Sequence, residues 1–355
     1  MTLEQNNSGE FRSYRYDAED GSEPVDLLSV TSIRSLCGMG YQLVNWQMAN
    51  LADAALGTMK RTITGPRGGV KDVRQVWEYP SEFVRKYNEG EGTQSSIDDL
   101  RKWLREQAES PRNVAAMRGT MVHGAIEHNV AWDRIERPYV EDAYQGMSSR
   151  DKGRVKRAVS DEDIHFVRNS VKHYWDMRAE MPMVLLAREV RVVNLTVGYA
   201  GTFDALVWLL GTFEGDQFIP LSHEKQTEAR IMRTYNVTLA DIERLGGTPV
   251  LLDWKTSKGI YTDQSVQAHA YLAAEFAVVD GKRDERVTAL LNAAQWGGLV
   301  HIRPNGWALH LFPYTDDAVR AFLGSVAFAR YLARFPDPVF THTFKGESNE
   351  VDDDD

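Results

Sequence analysis

Residues 248–259, TPVLLDWKTSKG, form an apolar run that ends in charged and polar side chains. Residues 250–252 are apolar and prone to form strands, and a segment with Gly and Pro precedes them, so the run predicts a buried strand. Because side chains alternate along a strand, Asp253 and Lys255 point to one face and Trp254 points to the other. Charged groups are costly to bury, so the fold must supply compensation for this carboxylate and this ammonium.

Two further segments carry polar side chains on apolar elements. Residues 199–210, YAGTFDALVWLL, predict a second buried strand with one carboxylate, Asp204, in an otherwise apolar run. Residues 264–279 predict a helix in which Gln267 and Tyr271 are spaced i, i+4 and share one face. Both segments therefore place polar groups where burial demands a partner.

A helix is also predicted over residues 110–132, since the Ser-Pro pair at its start is typical of an N-cap followed by proline at the first helical position. His123 and Glu127 are spaced i, i+4 on this helix. Gly119 and Gly124 interrupt good helix formers, and each is disfavoured by about 1 kcal/mol relative to Ala. The two glycines suggest that another backbone or a substrate comes close to the helix.

These segments, in this order, resemble the motifs of the PD-(D/E)xK nuclease superfamily, and more narrowly those of its RecB/Cas4-like and phage exonuclease branch. The resemblance covers roughly residues 118–271. An Asp-x-Lys motif alone is common by chance, but four motifs in the right order on the right element types make a strong signal. The matching positions are Arg118, Gly119, Thr120 and His123 in the helix, Gly201 and Asp204 in Gly-x-x-Asp, Asp253 and Lys255 in Asp-x-Lys, and Gln267 and Tyr271 in Gln-x-x-x-Tyr.

The resemblance implies an α/β fold with a PD-(D/E)xK restriction-endonuclease-like core, a small mixed β-sheet flanked by helices, and an N-terminal helical elaboration. We place the core at residues 111–345 and the helical elaboration at residues 26–110. Residues 211–248 are too many for a hairpin loop, which usually has about 2–5 residues, and we interpret them as an insertion. The polar residues 1–25 and the acidic tail, residues 346–355, are expected to be disordered.

The same resemblance implies a divalent-metal-dependent DNA exonuclease that hydrolyses phosphodiester bonds for recombination or DNA end processing. Asp204, Asp253 and the backbone carbonyl of Trp254 would hold Mg²⁺ or Mn²⁺, for which oxygen ligands are suited. His123 would add an imidazole to a second cation site, which suits Mn²⁺ better. Lys255 would orient or help to deprotonate the attacking water, or neutralise phosphate charge.

Other side chains are expected to complete this site. Glu189 is the lone acid of a strand predicted over residues 184–193, and the resemblance implies that it would join the catalytic metal or water network. Gln267 and Tyr271 would contact the substrate backbone or brace the active site. The substrate-binding residues that the resemblance and the neighbouring sequence imply are Arg118, Gln267, Tyr271, Lys258 and Thr256.

Each assignment also has a purely structural interpretation. A carboxylate and an ammonium at a strand end can form an ion pair, a helical histidine can be a hydrogen-bonded core residue, and loop side chains can be solvated. These alternatives stay open for Asp253 with Lys255, for His123, for Tyr271 as a packed residue, for Arg118 as the partner of an acid, for Glu127 as a solvated acid, and for Lys258 and Thr256 in a solvated loop.

The composition limits cofactors and partners. The single cysteine, Cys37, excludes an internal disulfide and an iron–sulfur cluster of the kind that many Cas4-type relatives hold. The resemblance implies DNA and a single-strand-annealing recombination protein as partners. No membrane contact and a cytoplasmic location are expected, since the sequence shows neither a signal peptide nor a long uncharged apolar run.

The net charge of −10 runs against non-specific attraction to phosphate backbones. Residues 346–355 contribute six acids and no base, and the remainder carries −4. The remaining acids include the expected metal ligands, whose charge a bound cation would offset. The acidity supports an alternative function, a nuclease-derived DNA-binding or assembly protein without cleavage activity.

Local signals predict the elements outside these motifs. N-caps, turn residues and apolar periodicity are the main signals. Helices are predicted from Val30 onward, over residues 95–109, 161–181 and 316–334, and near residues 229–245; a loop is predicted over 64–80, irregular structure over 133–159, and a hairpin over 298–312 with Asn305-Gly306 at its turn.

Overall fold

In the part of the chain that the computed structural model describes, ten strands form one mixed sheet. The structure describes residues 2–6, 13–18, 22–36, 59–63, 73–77, 113–147, 158–215, 217–232 and 236–334. The strands are β1 (Thr2–Asn6), β2 (Ser13–Asp17), β3 (Val25–Ser29), β4 (Met59–Ile63), β5 (Val73–Trp77), β6 (Met183–Asn194), β7 (Tyr199–Leu209), β8 (Gly211–Glu214), β9 (Gln217–Pro220), β10 (Thr248–Lys255), β11 (Phe276–Val279), β12 (Lys282–Arg283), β13 (Trp296–Arg303) and β14 (Gly306–Pro313). The helices are α1 (Val30–Leu36), α2 (113–127), α3 (Arg137–Gly146), α4 (Asp161–Glu180), α5 (His223–Ile231), α6 (Leu239–Leu245), α7 (Thr262–Leu272), α8 (Glu285–Asn292) and α9 (Asp316–Arg334).

Strands β7 and β10 form the middle of this sheet. The order along the main path is β1-β2-β3-β7-β10-β13-β14, and β6 pairs with β7 and continues to β11 and β12. β10 runs antiparallel to β7 and parallel to β13. The α/β class is therefore confirmed, but the sheet is larger than the small sheet expected, because strands from the N-terminal residues and β11 to β14 extend it.

The N-terminal residues correct the expectation of disorder over residues 1–25. β1 and β2 pair with each other, and β2 pairs with β3, which joins the sheet at β7. Leu3 and Tyr14 are buried against Val193 and Phe276, and the Tyr14 hydroxyl lies 3.1 Å from that of Thr202. The segment looks polar in sequence, but a few apolar side chains and backbone pairing to the sheet order it.

Helices cover both faces of the sheet. On one face, α2 and α4 pack against alternate residues of β10, including Leu252 and Trp254. On the other face, α7, α8 and α9 pack against Leu251 and its neighbours. The side chains of β10 thus alternate between two cores, as its sequence predicts.

The predicted elements in the core of the chain are largely confirmed. α4 begins at the predicted N-cap, Ser160, whose side chain forms a capping box with Asp163. The β13–β14 hairpin and α9 are also present. The two loop residues of the hairpin are Pro304 and Asn305, because Arg303 pairs with Gly306. The fixed φ of proline favours that position of a turn over the predicted Asn-Gly centre.

Several boundaries differ from the predictions. α7 ends at Leu272 instead of Val279, because residues 276–279 are β-prone and pair with β6 as β11. α2 ends at residue 127 and not at 132. Helix α3 lies within the segment 133–159, which was predicted to be irregular, and strand β5 lies within the predicted loop 64–80. The insertion 211–248, for which one short helix was predicted, contains the hairpin β8–β9 and the helices α5 and α6.

Within the predicted N-terminal helical region, the structure describes β3, α1, β4 and β5. That part of the chain is therefore not purely helical. The predicted helix over residues 95–109 and the acidic tail, residues 346–355, lie outside the described residues. None of the helices that the structure describes is long and apolar enough to cross a membrane.

Candidate active site

Strands β3 and β10 pair with different parts of β7, and the segment between those parts carries Asp204. β10 pairs with residues 205–209 of β7, and β3 pairs with residues 199–200. Residues 201–204 therefore lie in a fork between the two neighbouring strands. Asp204 bridges this fork, since its Oδ2 accepts a 2.6 Å hydrogen bond from the backbone N–H of Trp254.

Helix α2 places His123 against Asp204. Nδ1 of His123 lies 3.0 Å from Oδ1 of Asp204, so both carboxylate oxygens have partners. Burial alone lowers the pKa of His123, but the charge of Asp204 and this hydrogen bond outweigh burial and raise the pKa to about 9. Burial also disfavours charge on Asp204, yet His123 and Lys255 hold its pKa below the ordinary value. The structure thus brings together two residues that are far apart in sequence.

Asp253 and Lys255 form an ion pair on the face of β10 opposite Trp254. The Lys255 ammonium contacts Oδ2 of Asp253 and donates a 3.3 Å hydrogen bond to Oε1 of Gln267. Asp253 is buried, and burial raises its pKa above the ordinary value despite the nearby ammonium. Trp254 packs in the core, with its ring 5.5 Å from that of Tyr174. A buried ion pair is thus held at the end of the strand.

Glu189 approaches the same cluster from β6. It lies between Arg188, which is opposite Ala205, and Val190, so it stands beside Asp204 across the β6–β7 pair. Its backbone φ is +46°, in the left-handed region that non-glycine residues rarely adopt. Burial, followed by the negative charge of Asp204, raises the pKa of Glu189 to about 8. Strained backbone of this kind concentrates at functional sites.

Gln267 and Tyr271 close the cluster from α7. Nε2 of Gln267 donates a 2.6 Å hydrogen bond to the Tyr271 hydroxyl. Burial raises the pKa of Tyr271 well above its ordinary value. A Cβ at Gly201 would lie 2.5 Å from the Tyr271 ring, so glycine is needed there for close packing. Tyr271 is therefore packed in the core and is also joined to the site through Gln267.

The two glycines of α2 have different surroundings. A Cβ at Gly119 would lie 2.8 Å from Oγ1 of Thr256, so the helix and the loop after β10 approach closely here. A Cβ at Gly124 would meet no atom within 4 Å, so close approach explains only the first glycine. Glu127 is exposed, which agrees with its interpretation as a solvated acid.

Arg118 is the partner of an acid, as its purely structural interpretation predicts. Its Nε lies 2.7 Å from Oδ1 of the buried Asp163, and its guanidinium is 5.3 Å from the centre of the Phe166 ring. Arg303 stacks near the same ring at 5.1 Å and donates to the carbonyl of Thr256. Lys258 is exposed, so the structure does not bring it into the cluster around Asp204.

Arg34 on α1 was missed by sequence reasoning. Its Nη1 donates a 2.8 Å hydrogen bond to Oε1 of Gln267, and its Nε lies 2.8 Å from Oδ2 of Asp263. No motif in the sequence marks this arginine. Only the packing of α1 against α7 brings it to the site.

The donors at the fork fit a divalent cation in their chemistry. The imidazole of His123 contacts Asp204 and lies near the carboxyl groups of Asp253 and Glu189, and the buried Oδ2 of Asp253 accepts no hydrogen bond of ordinary geometry. Among the residues that the structure describes, no three His, Cys, Asp or Glu side chains are arranged as a metal-binding group. The ammonium of Lys255 and the ring of His123 lie against the two aspartates instead. Metal binding would therefore require one of these partners to release a carboxylate oxygen.

Comparison with models of protein families and with curated protein sequences finds no match to this chain.

Proposed function

We propose that this protein is a divalent-metal-dependent DNA nuclease with a PD-(D/E)xK core, acting as an exonuclease in recombination or DNA end processing. The observation that carries the proposal is that Asp204, Asp253, Lys255 and His123 meet at the fork between β3 and β10. These residues come from three different elements and were selected from sequence motifs alone. Their convergence is not required by any single motif.

Phosphodiester hydrolysis needs a nucleophilic water and stabilisation of the charge that develops on phosphate. Mg²⁺ or Mn²⁺ would be held by Asp204 and Asp253, with the Trp254 carbonyl and His123 as further ligands. Such a cation lowers the pKa of bound water and stabilises phosphoryl oxygens. The absence of a cysteine cluster leaves these oxygen and nitrogen donors as the expected ligands.

The protein's own groups would orient the reacting atoms. The Trp254 N–H fixes the carboxylate of Asp204. Lys255 stands between Asp253 and the Gln267 amide, and its ammonium is suited to orient the attacking water or to neutralise phosphate charge. Glu189 lies partly buried beside Asp204, and its raised pKa fits a group that exchanges a proton with water near neutral pH.

The first experiment compares digestion of end-labelled linear DNA and closed circular DNA, with Mg²⁺, Mn²⁺ or EDTA. Wild type and Asp253→Ala are assayed side by side. Metal-dependent loss of linear DNA alone, absent in the variant, supports an exonuclease at this site. Cutting of the circle would replace exonuclease by endonuclease, and equal activity of the variant would contradict the site.

A non-cleaving DNA-binding or assembly protein is the second candidate. The net charge of −10 favours it, because such a chain gains little from bulk attraction to DNA. Against it stand the buried charges at the fork, which a descendant without activity has no need to keep. DNA affinity that is unchanged by Mg²⁺, together with no cleavage of either substrate, would favour this candidate.

A further inference from the structure

Helix α1 packs against α7 beside the proposed catalytic lysine. We propose that Arg34 is a positioning residue of this site, which fixes the side-chain amide of Gln267 so that its carbonyl oxygen faces Lys255. The inference rests on the proposed nuclease function and adds a residue from outside the motifs. It makes the N-terminal part of the chain a component of the active site.

The guanidinium of Arg34 holds two side chains of one helix face. Asp263 and Gln267 are spaced i, i+4 on α7, and Arg34 contacts both at 2.8 Å, through Nε and Nη1 respectively. A planar guanidinium can hold two acceptors at once in a fixed geometry, whereas an ammonium is a single point donor. Arg34 is only partly exposed, with 28% of its side-chain surface accessible. The pair with Asp263 therefore anchors the contact with Gln267.

The hydrogen bonds around Gln267 select one orientation of its amide. Oε1 accepts from both Arg34 and Lys255, and Nε2 donates to the Tyr271 hydroxyl. Arginine and lysine side chains can only donate hydrogen bonds. Rotating the amide by half a turn would therefore present an NH₂ group to two cations. Arg34 and Lys255 thus favour the same orientation, and each stabilises the contact of the other.

This network determines where the Lys255 ammonium lies. Two described acceptors contact it, Oδ2 of Asp253 and Oε1 of Gln267. If Arg34 is removed, the Gln267 amide loses its charged donor and its anchor to Asp263. The Lys255 ammonium then keeps only the contact with Asp253 in a fixed position, and it is less well aligned for the chemical step. A misplaced catalytic group reduces turnover more than it reduces binding.

The kinetic test measures kcat and KM for linear DNA with Arg34→Ala and Arg34→Lys. We expect kcat to fall about 10- to 100-fold in both variants with little change in KM, since losing a residue that orients a catalytic group typically has this effect. Lysine does not rescue, because it cannot hold both acceptors. Asp263→Asn leaves the hydrogen bond from Arg34 to Gln267 in place, so we expect a smaller loss of kcat. Arg244→Ala removes a 2.8 Å ion pair with Glu228 in the insertion and serves as the control with unchanged kcat.

Two kinetic results would overturn the assignment. If KM rises and kcat is unchanged, Arg34 binds substrate and does not position Gln267. If the losses of Arg34→Ala and Gln267→Ala multiply in the double variant, the two residues act independently. The proposal expects the double variant to be no slower than the Gln267→Ala variant.

A second measurement separates this inference from the proposed function. The midpoint of thermal unfolding is measured for Arg34→Ala, Lys255→Ala and their combination, in the presence of Gln267 and in a Gln267→Ala background. The shifts should be non-additive when Gln267 is present and additive when it is absent. This result holds even if wild type cleaves no DNA, in which case the proposed function fails and the positioning network remains. Additive shifts in both backgrounds contradict the positioning role.

Discussion

At the scale of single residues, the site combines buried charge with backbone strain. Glu189 lies partly buried beside Asp204 and has a φ of +46°, although β6 is otherwise an ordinary strand. The sequence marks Glu189 as a lone acid on an apolar strand, but no sequence pattern predicts its left-handed conformation. Such strain persists only where the surrounding structure enforces it.

The strain at Glu189 predicts an opposition between stability and activity. Glu189→Gly relieves the left-handed conformation and removes a partly buried acid, so the free energy of unfolding should rise by roughly 1 kcal/mol. Cleavage should fall, since the acid beside Asp204 is lost. Denaturant unfolding and the linear-DNA assay measure the two effects. Asp280→Gly is the matched control, because Asp280 has a φ of +49° in a turn between β11 and β12; it should show no loss of cleavage.

At the scale of elements, the sequence predicts those parts whose pattern is local. β7, β10, α4 and α9 follow from apolar runs, capping residues and periodicity. β1 and β2 could not be predicted in this way, because their order depends on pairing with the sheet and on the burial of Leu3 and Tyr14. Arg34 was missed for the same reason, since its role depends on how α1 packs against α7.

Close packing of elements predicts opposite effects for two glycine substitutions. Gly201→Ala places a methyl group 2.5 Å from the Tyr271 ring and 3.0 Å from Val30, and it should destabilise the protein by about 1–3 kcal/mol. Gly124→Ala lies in α2 with no atom within 4 Å, and it should stabilise by up to about 1 kcal/mol. Denaturant unfolding midpoints of the two variants test this. A destabilised Gly124→Ala variant together with a neutral Gly201→Ala variant would contradict the packing described here.

At the scale of the whole molecule, the fork gathers three carboxyl groups in a chain that is already acidic. The net charge is −10, Asp204 and Asp253 are buried, and the partly buried Glu189 lies near them. The cations His123 and Lys255 balance the two aspartates, and the raised pKa of Glu189 keeps it mostly neutral near pH 7. The residues proposed for the site could be selected from the sequence because their motifs are local, whereas partners such as Arg34 come from distant parts of the chain.

The acidity of the chain predicts that DNA binding depends on divalent cations. A cation at the fork offsets repulsion between carboxylates and phosphate, so affinity should increase when Mg²⁺ replaces EDTA at equal ionic strength. Fluorescence anisotropy with labelled linear DNA measures the affinity, using Lys255→Ala so that the DNA is not degraded. Asp253→Asn in the Lys255→Ala background should weaken the response to Mg²⁺. Equal affinity with Mg²⁺ and with EDTA would instead favour the non-cleaving candidate.

The most direct test of a catalytic site at the fork is the rate at which Lys255→Ala cleaves end-labelled linear DNA in Mn²⁺. Lys282→Ala, which changes an exposed lysine on β12, is assayed beside it, and circular dichroism verifies that both variants are folded. We expect a loss of at least about 100-fold for Lys255→Ala and wild-type cleavage for Lys282→Ala. Full cleavage by a folded Lys255→Ala variant would contradict a catalytic site at the fork.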